Sequence, residues 1–250
     1  MQDGQDYDNP LVRKLNGFVR LDAEDCRLLD EIIEKTRLVP ARTDLIQEGD
    51  EPDHVHLILE GFACRYKILA EGSRHIMAYL IPGDFCDLHI FILKEMDHSL
   101  SALSPCKVVD IPRERILKLM ERPKLAQAMW ASALVDEATL REWLVNLGGR
   151  EATERVAHLL CELLYRLRAV GLVDGHSYEL PLTQIDLADT LGLSNVHMNR
   201  VLQRLRGDGL ISFAGSRLVI HDIERLEEFA GFTPNYLHLD QQKLAPRPHA

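Results

Sequence analysis

Residues 181–211 are PLTQIDLADTLGLSNVHMNRVLQRLRGDGLI, two capped helical patterns separated by a glycine. Thr183 is suited to N-cap a first helix whose apolar side is Ile185, Leu187, Ala188 and Leu191, and Gly192 supplies the sharp turn after it. Ser194 N-caps a second helix. Val201, Leu202 and Leu205 form its buried stripe, and Asn195, Val196, His197, Asn199, Arg200 and Arg204 are distributed over the remaining surface. From Gly207 through Gly209, Leu210 and Ile211 to Gly215, Ser216 and Arg217, turn residues alternate with β-prone runs, as a two-stranded wing requires. The spacing therefore predicts a winged helix-turn-helix.

Two short helices around a glycine also occur in proteins that bind no nucleic acid, so the charge pattern has to decide. The chain is acidic, with 29 Lys and Arg against 39 Asp and Glu and a formal net charge of −10. Between residues 195 and 217, however, Arg200, Arg204, Arg206 and Arg217 face the single acid Asp208. A basic island on an acidic body suits specific phosphate contact, whereas the overall charge argues against a protein that coats DNA indiscriminately.

At 250 residues the chain is long enough for two units with separate cores. With 46% hydrophobic and 27% charged residues its composition is that of a soluble globular protein, and no apolar run is long enough to span a bilayer. The start, MQDGQDYDNP, is acidic and polar and does not read as a secretory signal, so a cytoplasmic location without membrane attachment is expected. The five cysteines, Cys26, Cys64, Cys86, Cys106 and Cys161, are scattered and contain no Cys-x-x-Cys pair. A disulfide framework or a four-thiol zinc site is not expected, and no metal ligand set is assigned.

Outward from the helix-turn-helix, the fold class is α+β. Residues 9–36 form a helical lead-in, with Asp22 as N-cap, Asp25 at the third helical position, and Leu28, Leu29, Ile32 and Ile33 as its stripe, ended by Pro40. Short β-type segments follow at residues 43–46, 55–59, 62–66, 76–80 and 108–111, separated by turn signals at 48–50, 60–61, 71–73 and 82–84. That spacing predicts a small antiparallel barrel or roll. A short helix is predicted over 113–120 and a longer one over 123–147, where Ala126, Trp130, Ala133, Leu140, Leu144 and Leu147 recur at three- and four-residue steps around Glu137 as a coiled-coil seam. Gly148-Gly149 is read as the break between modules. A further helix over 151–170 buries Val156, Leu159, Leu160, Leu163, Leu164 and Leu167 and ends at Gly171. His158 and Cys161 lie beside that stripe as packing residues. The tail from Thr233 is irregular, with Phe232, Tyr236 and Leu237 docking.

QEGDEPDHVHLILEGFACRY at residues 47–66, IPGDF at 81–85 and the later helix-turn-helix resemble the Crp/Fnr superfamily of bacterial transcription regulators from about residue 10 to residue 230. The resemblance implies an N-terminal antiparallel β-roll of the cyclic-nucleotide-binding type, a long dimerisation helix and a C-terminal winged helix-turn-helix. The corresponding ranges are 1–122 for the sensor roll and its lead-in, 123–149 for the dimerisation helix and hinge, 150–232 for the DNA-binding unit and 233–250 for the tail. It also implies a parallel homodimer on a palindromic operator, its two reading helices about one DNA turn (~34 Å) apart, and RNA polymerase as a protein partner.

Carried onto this sequence, the family's reading positions are Ser194, Asn195, Val196, His197, Asn199 and Arg200, to which Thr183, Arg204 and Arg217 are added as further DNA-binding residues. Arg200 can donate two hydrogens to guanine O6 and N7, and asparagine can pair with adenine. Val196 stands where many members carry a glutamate that reads cytosine, which puts the familiar half-sites in doubt. In the sensor, the segment GDFCDLHIFILKEMDHSLSAL (83–103) outlines an effector pocket at Asp84, Phe85, Cys86, Asp87, His89, His98 and Ser99. Asp87-Leu88 stands in for the family's acidic pair, but His98-Ser99 replaces the arginine that would hold a cyclic phosphate, which disfavours cyclic AMP. Cys26 alone before the roll disfavours an iron-sulfur cluster. The cofactor is thus unknown and the effector an unidentified small molecule.

His75, His89 and His98, with Cys86 and Cys106, raise metal, haem or redox sensing as an alternative, set against ordinary packing. A regulator that senses a ligand, metal or haem and acts through protein contacts instead of DNA is the competing reading. No Gly-x-Ser-x-Gly, phosphate loop or His-Glu-x-x-His occurs, so no catalytic residue is assigned and an enzyme is not expected.

Overall fold

The computed structural model describes residues 7–88 and 95–239. The lead-in is two helices, α1 (Pro10–Phe18) and α2 (Ala23–Ile32). Asn9 caps the first through the Leu11 N–H, and Asp22 and Asp25 form a reciprocal capping box on the second.

The roll follows as two antiparallel sheets. In one, the strand order is β1 (Arg37–Val39), β7 (Cys106–Pro112), β3 (His54–Glu60). The other runs β2 (Asp44–Ile46), β6 (Ser99–Ala102), β4 (Ala63–Ile68), β5 (Arg74–Leu80). Leu11, Leu15, Leu29, Val55, Leu57, Leu80, Leu100, Val108 and Ile111 share its core with the first helices. The sequence reading omitted β1 and β6. β1 has three residues with one buried, and β6 reads SLSA, where every position is buried and alternation is therefore absent.

Two glycines hold the roll closed. Gly61, at φ +86, turns β3 into β4, and a Cβ there would lie 2.3 Å from the Pro105 carbonyl oxygen. Gly83, at φ +92, brings the next turn against the carbonyl of Pro10 at the start of α1.

α3 (Arg113–Met120) leads into α4 (Pro123–Gly149), then α5 (Ala152–Ala169). Contrary to expectation, Gly148 and Gly149 stay inside α4, and the helix ends at Arg150, whose N–H bonds to the Asn146 carbonyl. The break comes where Glu151 starts the capping box of α5. The C-terminal unit contains β8 (Ser177–Glu179), α6 (Gln184–Leu191), α7 (Asn195–Gly207), β9 (Ile211–Ala214), β10 (Arg217–Ile220) and α8 (Ile223–Ala230), then a 3-10 turn at Pro234–Leu237. The wing therefore has three strands, ordered β8-β10-β9, and α8 is an element the sequence reading did not predict.

α5 is buried almost all round. Its apolar cluster continues through Ala138 and Trp143 of α4 into Phe62, Ile76, Tyr79, Ile81 and Leu103 of the roll, so the roll and the C-terminal unit share a core. Phe232, Tyr236 and Leu237 close it from the tail.

Replacing Gly61 by alanine imposes both a left-handed backbone and a collision, while Gly72, also at positive φ (+85), has open space where a Cβ would go. Gly72→Ala should cost about 1–2 kcal/mol and Gly61→Ala a further ~1–3 kcal/mol, to be read from the two variants' denaturant midpoints.

Candidate functional site

Thr183 Oγ1 accepts from the Asp186 N–H at 3.1 Å and fixes the start of α6. Gly192, at φ 63, ends it in the left-handed conformation that turns the chain into Ser194, whose hydroxyl accepts from the His197 N–H at 3.3 Å and starts α7. α7 packs through Met198, Val201, Leu202 and Leu205. Met198 is a buried position the sequence stripe missed. Ile185, expected on the apolar side of α6, is instead 53% exposed. Two residues before Leu187, it lies on the opposite side of α6 from the core that Leu187, Ala188 and Leu191 enter.

The predicted reading face is open. Thr183, Ser194, Asn195, His197, Arg200 and Arg204 are exposed, Val196 is 70% exposed, and Asn199 is half-buried with its Nδ2 donating to Gln184 Oε1 at 3.2 Å. Four arginines on this surface differ in freedom. Arg206 lies over the Phe213 ring and Arg204 is 3.8 Å from Asp208. Arg217 is held at the foot of the wing by Ser177, Asp174 and Glu179. Arg200 makes no ion pair among the described residues, so its guanidinium alone is uncommitted in the middle of the face.

Behind this face, α6 is fastened to the roll. The carboxylate of Asp186 is fully buried and accepts from Arg42 Nη1 and Nη2 at 2.6 and 2.8 Å, Arg74 Nη2 at 2.7 Å, and the Thr183 N–H and Oγ1 at 2.8 and 2.7 Å. Burial alone would push its pKa up, but these donors outweigh it and hold the carboxyl well below the usual range. Arg74 Nε also donates to Asp189 at 2.8 Å. Neither arginine is foreseeable from local patterns, since they act across sequence separations of 112, 115 and 144 residues.

The seam residues of α4 point away from this core. Trp130 (60% exposed), Leu140 (42%), Leu144 (72%) and Leu147 (38%) form one apolar stripe with Ala133 and the unforeseen Leu134 (54%). Ala126 is half-buried at its start. The opposite side, including Leu125, Met129, Val135, Ala138 and Trp143, is buried within the protomer.

The predicted effector residues fall in two places: Cys86, Asp87 and His98 lie around Arg65, which donates to the Cys86 carbonyl at 2.7 Å and acts on the charges of the other two, while Asp84 turns elsewhere. Asp84 faces the junction, where Lys14 Nζ (2.6 Å) and Arg166 Nη2 (2.9 Å) donate to it. Phe85 and Cys86 are core residues, and Ser99 Oγ accepts from the Glu48 N–H at 2.9 Å. His98 is buried with Nδ1 2.6 Å from Asp97, and burial lowers its pKa, which leaves it neutral. His89 lies outside the described residues. Asp87 is fully buried, with Oδ1 accepting from the His56 N–H at 3.3 Å and Oδ2 without a hydrogen-bond partner among the described residues.

All five cysteines are buried free thiols. Burial pushes Cys64 up to about 12, Cys86 and Cys161 well above the ordinary value, and Cys26 and Cys106 upward as well, so none is a thiolate at neutral pH. His75 is exposed, and among the described residues no group of three His, Cys, Asp or Glu side chains could hold a metal. His158 and Cys161 are buried in α5 as expected, with His158 neutral because burial, aided by Arg150, lowers its pKa to about 3. No helix among the described residues is long and apolar enough to cross a membrane.

Comparison with known proteins agrees with this geometry. Residues 36–123 match the cyclic nucleotide-binding domain family and residues 154–229 the Crp-like helix-turn-helix domain family. The chain is 28% identical over 217 residues to the transcriptional activator protein FnrL of Cereibacter sphaeroides, covering 85% of this chain and 86% of that one. It is 27% identical over 212 residues to the transcriptional activator protein anr of Pseudomonas aeruginosa, covering 84% and 86%. In three dimensions it is similar to FixK2 from Bradyrhizobium japonicum, with a TM-score of 0.70 at 24% identity over 78% of this chain and 96% of that one, a likeness of fold.

Asp87 gives the roll a pH signature. Burial raises its pKa to about 6, against which His56 and Arg65 act only in part. Its folded pKa exceeds the unfolded value (~4), so the native state holds more protons between the two, and stability falls as pH rises from about 4 to about 6. In Asp87→Asn that component should vanish. Urea unfolding at pH 4.5 and pH 7 should show the variant gaining on the parent by a few kcal/mol at the higher pH.

Proposed function

Because the chain belongs to the Crp/Fnr superfamily of transcription regulators, we propose that it acts as a homodimer that binds a palindromic operator through the helix starting after Ser194. The observation that carries this reading is the face of α7. Arg200 is exposed and has no ion pair among the described residues, in a chain whose other arginines are largely engaged. An unpaired guanidinium in the centre of an exposed helical face is available for bidentate contact with guanine, and Asn195 and Asn199 flank it for adenine or phosphate. Val196 offers a thymine methyl a partner, so the half-site differs from those read by a glutamate at this position. The competing reading, a regulator acting through protein contacts alone, gives this face no task.

The stripe from Trp130 to Leu147 supports the dimer. A helix of 27 residues spans roughly 40 Å with one side satisfied inside the protomer and a second apolar side exposed. A second copy of the same helix, parallel to it, would bury this side and set two α7 helices about one DNA turn (~34 Å) apart. The signal assigned to the roll is a small-molecule effector, supported over thiol oxidation by the five neutral, buried thiols. Its effect depends on differential affinity for two arrangements of the dimer. RNA polymerase is the protein partner this reading implies.

Two substitutions test the reading on operator DNA selected by the purified protein. Arg200→Ala should cost about 1–3 kcal/mol of specific binding and relax selectivity at one base pair; an unchanged gel-shift affinity would remove Arg200 from the interface. Leu144→Glu lies on the exposed stripe and should leave the protomer folded. It should yield monomers on a sizing column and weaken operator binding roughly a hundredfold through loss of bivalency.

A further inference from the structure

Resting on the DNA-binding reading above, we propose that Arg42 and Arg74, two residues of the sensor roll, are positioning residues for the reading helix. By clamping Asp186 and Asp189 they hold α6, and α7 with it, in one orientation on the roll. Three independent observations meet at this place.

Bidentate geometry is the first. Arg42 presents both terminal nitrogens to the two oxygens of Asp186, and Arg74 bridges Asp186 and Asp189, one helical turn apart on α6. Paired, planar contacts of this kind fix direction as well as distance, whereas an apolar contact tolerates sliding and rotation. Tyr79 of β5 adds a third anchor, its hydroxyl bonding with Thr190 Oγ1 and donating to the Asp186 carbonyl, so α6 is gripped at Asp186, Asp189 and Thr190, within little more than one turn.

The backbone of Arg42 is the second. It adopts φ 64, one of two non-glycine residues in the left-handed region among the described residues. A residue with a Cβ is held there against its preference, which persists only where surrounding contacts over-determine it. What over-determines it here is the bond to Asp186 together with the Arg42 N–H donating to the Ala102 carbonyl at 2.7 Å.

The third is continuity from clamp to reading face. α6 and α7 are packed into one apolar cluster through Leu187, Ala188, Leu191, Met198, Val201 and Leu202, and Asn199 donates to Gln184 across the outside. Asp186 also caps the first turn of α6 through Thr183. A change of orientation at the clamp therefore carries α7 with it as part of a single body, and reaches the two-fold arrangement on DNA without any contact between the clamp and a base.

The test uses the full-length protein. Because the five native cysteines are buried, spin labels can be placed at Glu60→Cys on the roll and Gln203→Cys on α7, both exposed positions, with labelled chain diluted in unlabelled chain so that the intraprotomer distance dominates. Arg42→Asn keeps a residue that tolerates the left-handed backbone, and Arg74→Gln removes the second cation without altering α6. In both, pulsed electron resonance should show the roll-to-α7 distance distribution broadening at least about twofold, and Arg74→Lys should recover part of the narrow form. Operator affinity should change by about tenfold, downward if the clamped orientation is the one that fits DNA and upward if it is not. Unchanged distances in two folded variants would overturn the proposal, and so would broadened distances with unchanged affinity, since the clamp would then only hold two domains together. Arg200→Ala separates the readings: it should lower affinity while leaving the distances alone, and its failure to do so would count against DNA reading and not against the clamp.

Discussion

Three carboxylates, those of Asp84, Glu162 and Asp186, are taken out of water where the roll meets the C-terminal unit, and the arrangement of the chain depends on cations and donors reaching each of them. An uncompensated buried carboxylate costs several kcal/mol, so the partners are obligatory once the acids are in place. They come from distant parts of the sequence. Lys14 of α1 and Arg166 of α5 share Asp84; Arg166, the Trp143 indole and the Tyr236 hydroxyl share Glu162; Arg42 and Arg74 share Asp186. Every one of these links crosses between elements except Arg166 with Glu162. The nine-residue α1 is bound into the same junction, because Arg13 also donates to the Val170 carbonyl at the end of α5.

The parts of this fold that were legible in the sequence are those decided within a few residues. Thr183, Ser194 and Asp22 act as N-caps and Gly192 as a left-handed turn because a hydroxyl, a carboxylate or a missing Cβ meets the need of the adjacent backbone. The leucine stripe of α5 and the seam of α4 follow from a 3.6-residue period. Most of what escaped has no local signature: β6 is buried on both faces and shows no alternation, and β1 and β8 have three residues each. α8 is different, since Asp222 caps its start and Gly231 ends it in the left-handed conformation, so its signals were present in the sequence. Asp84 was assigned to an effector pocket because of its place after a glycine turn, whereas its oxygens are consumed by cations 70 and 82 residues away. For the candidate reading face the exposed positions were legible from the helical period; that Arg217 is tied down while Arg200 is not depends on Asp174 and Glu179, which no helical wheel brings near.

The buried acids differ in charge behaviour, and this divides their tasks. Asp186 is surrounded by donors and stays ionised across the physiological range, so protonation does not open the junction there. Glu162 is displaced the other way: burial raises its pKa even though Arg166, Trp143 and Tyr236 all oppose it. Asp87, within the roll and away from the clamp on α6, is the acid whose pKa is raised to about 6.

α4 is the element through which these constraints meet the exposed seam. Its inner side donates from Trp143 to Glu162, whose other oxygen is held by Arg166, which in turn holds Asp84 of the roll. A rotation of α4 that lengthened the Trp143 bond would leave Glu162 with one donor fewer in a site that water does not reach, a penalty of about 1–3 kcal/mol. Rotation of α4 against α5 is accordingly resisted by this buried bond as well as by apolar packing. Since the outer side of the same helix carries Trp130, Leu140 and Leu144, the bond that holds its inner side also fixes the direction of the exposed apolar stripe.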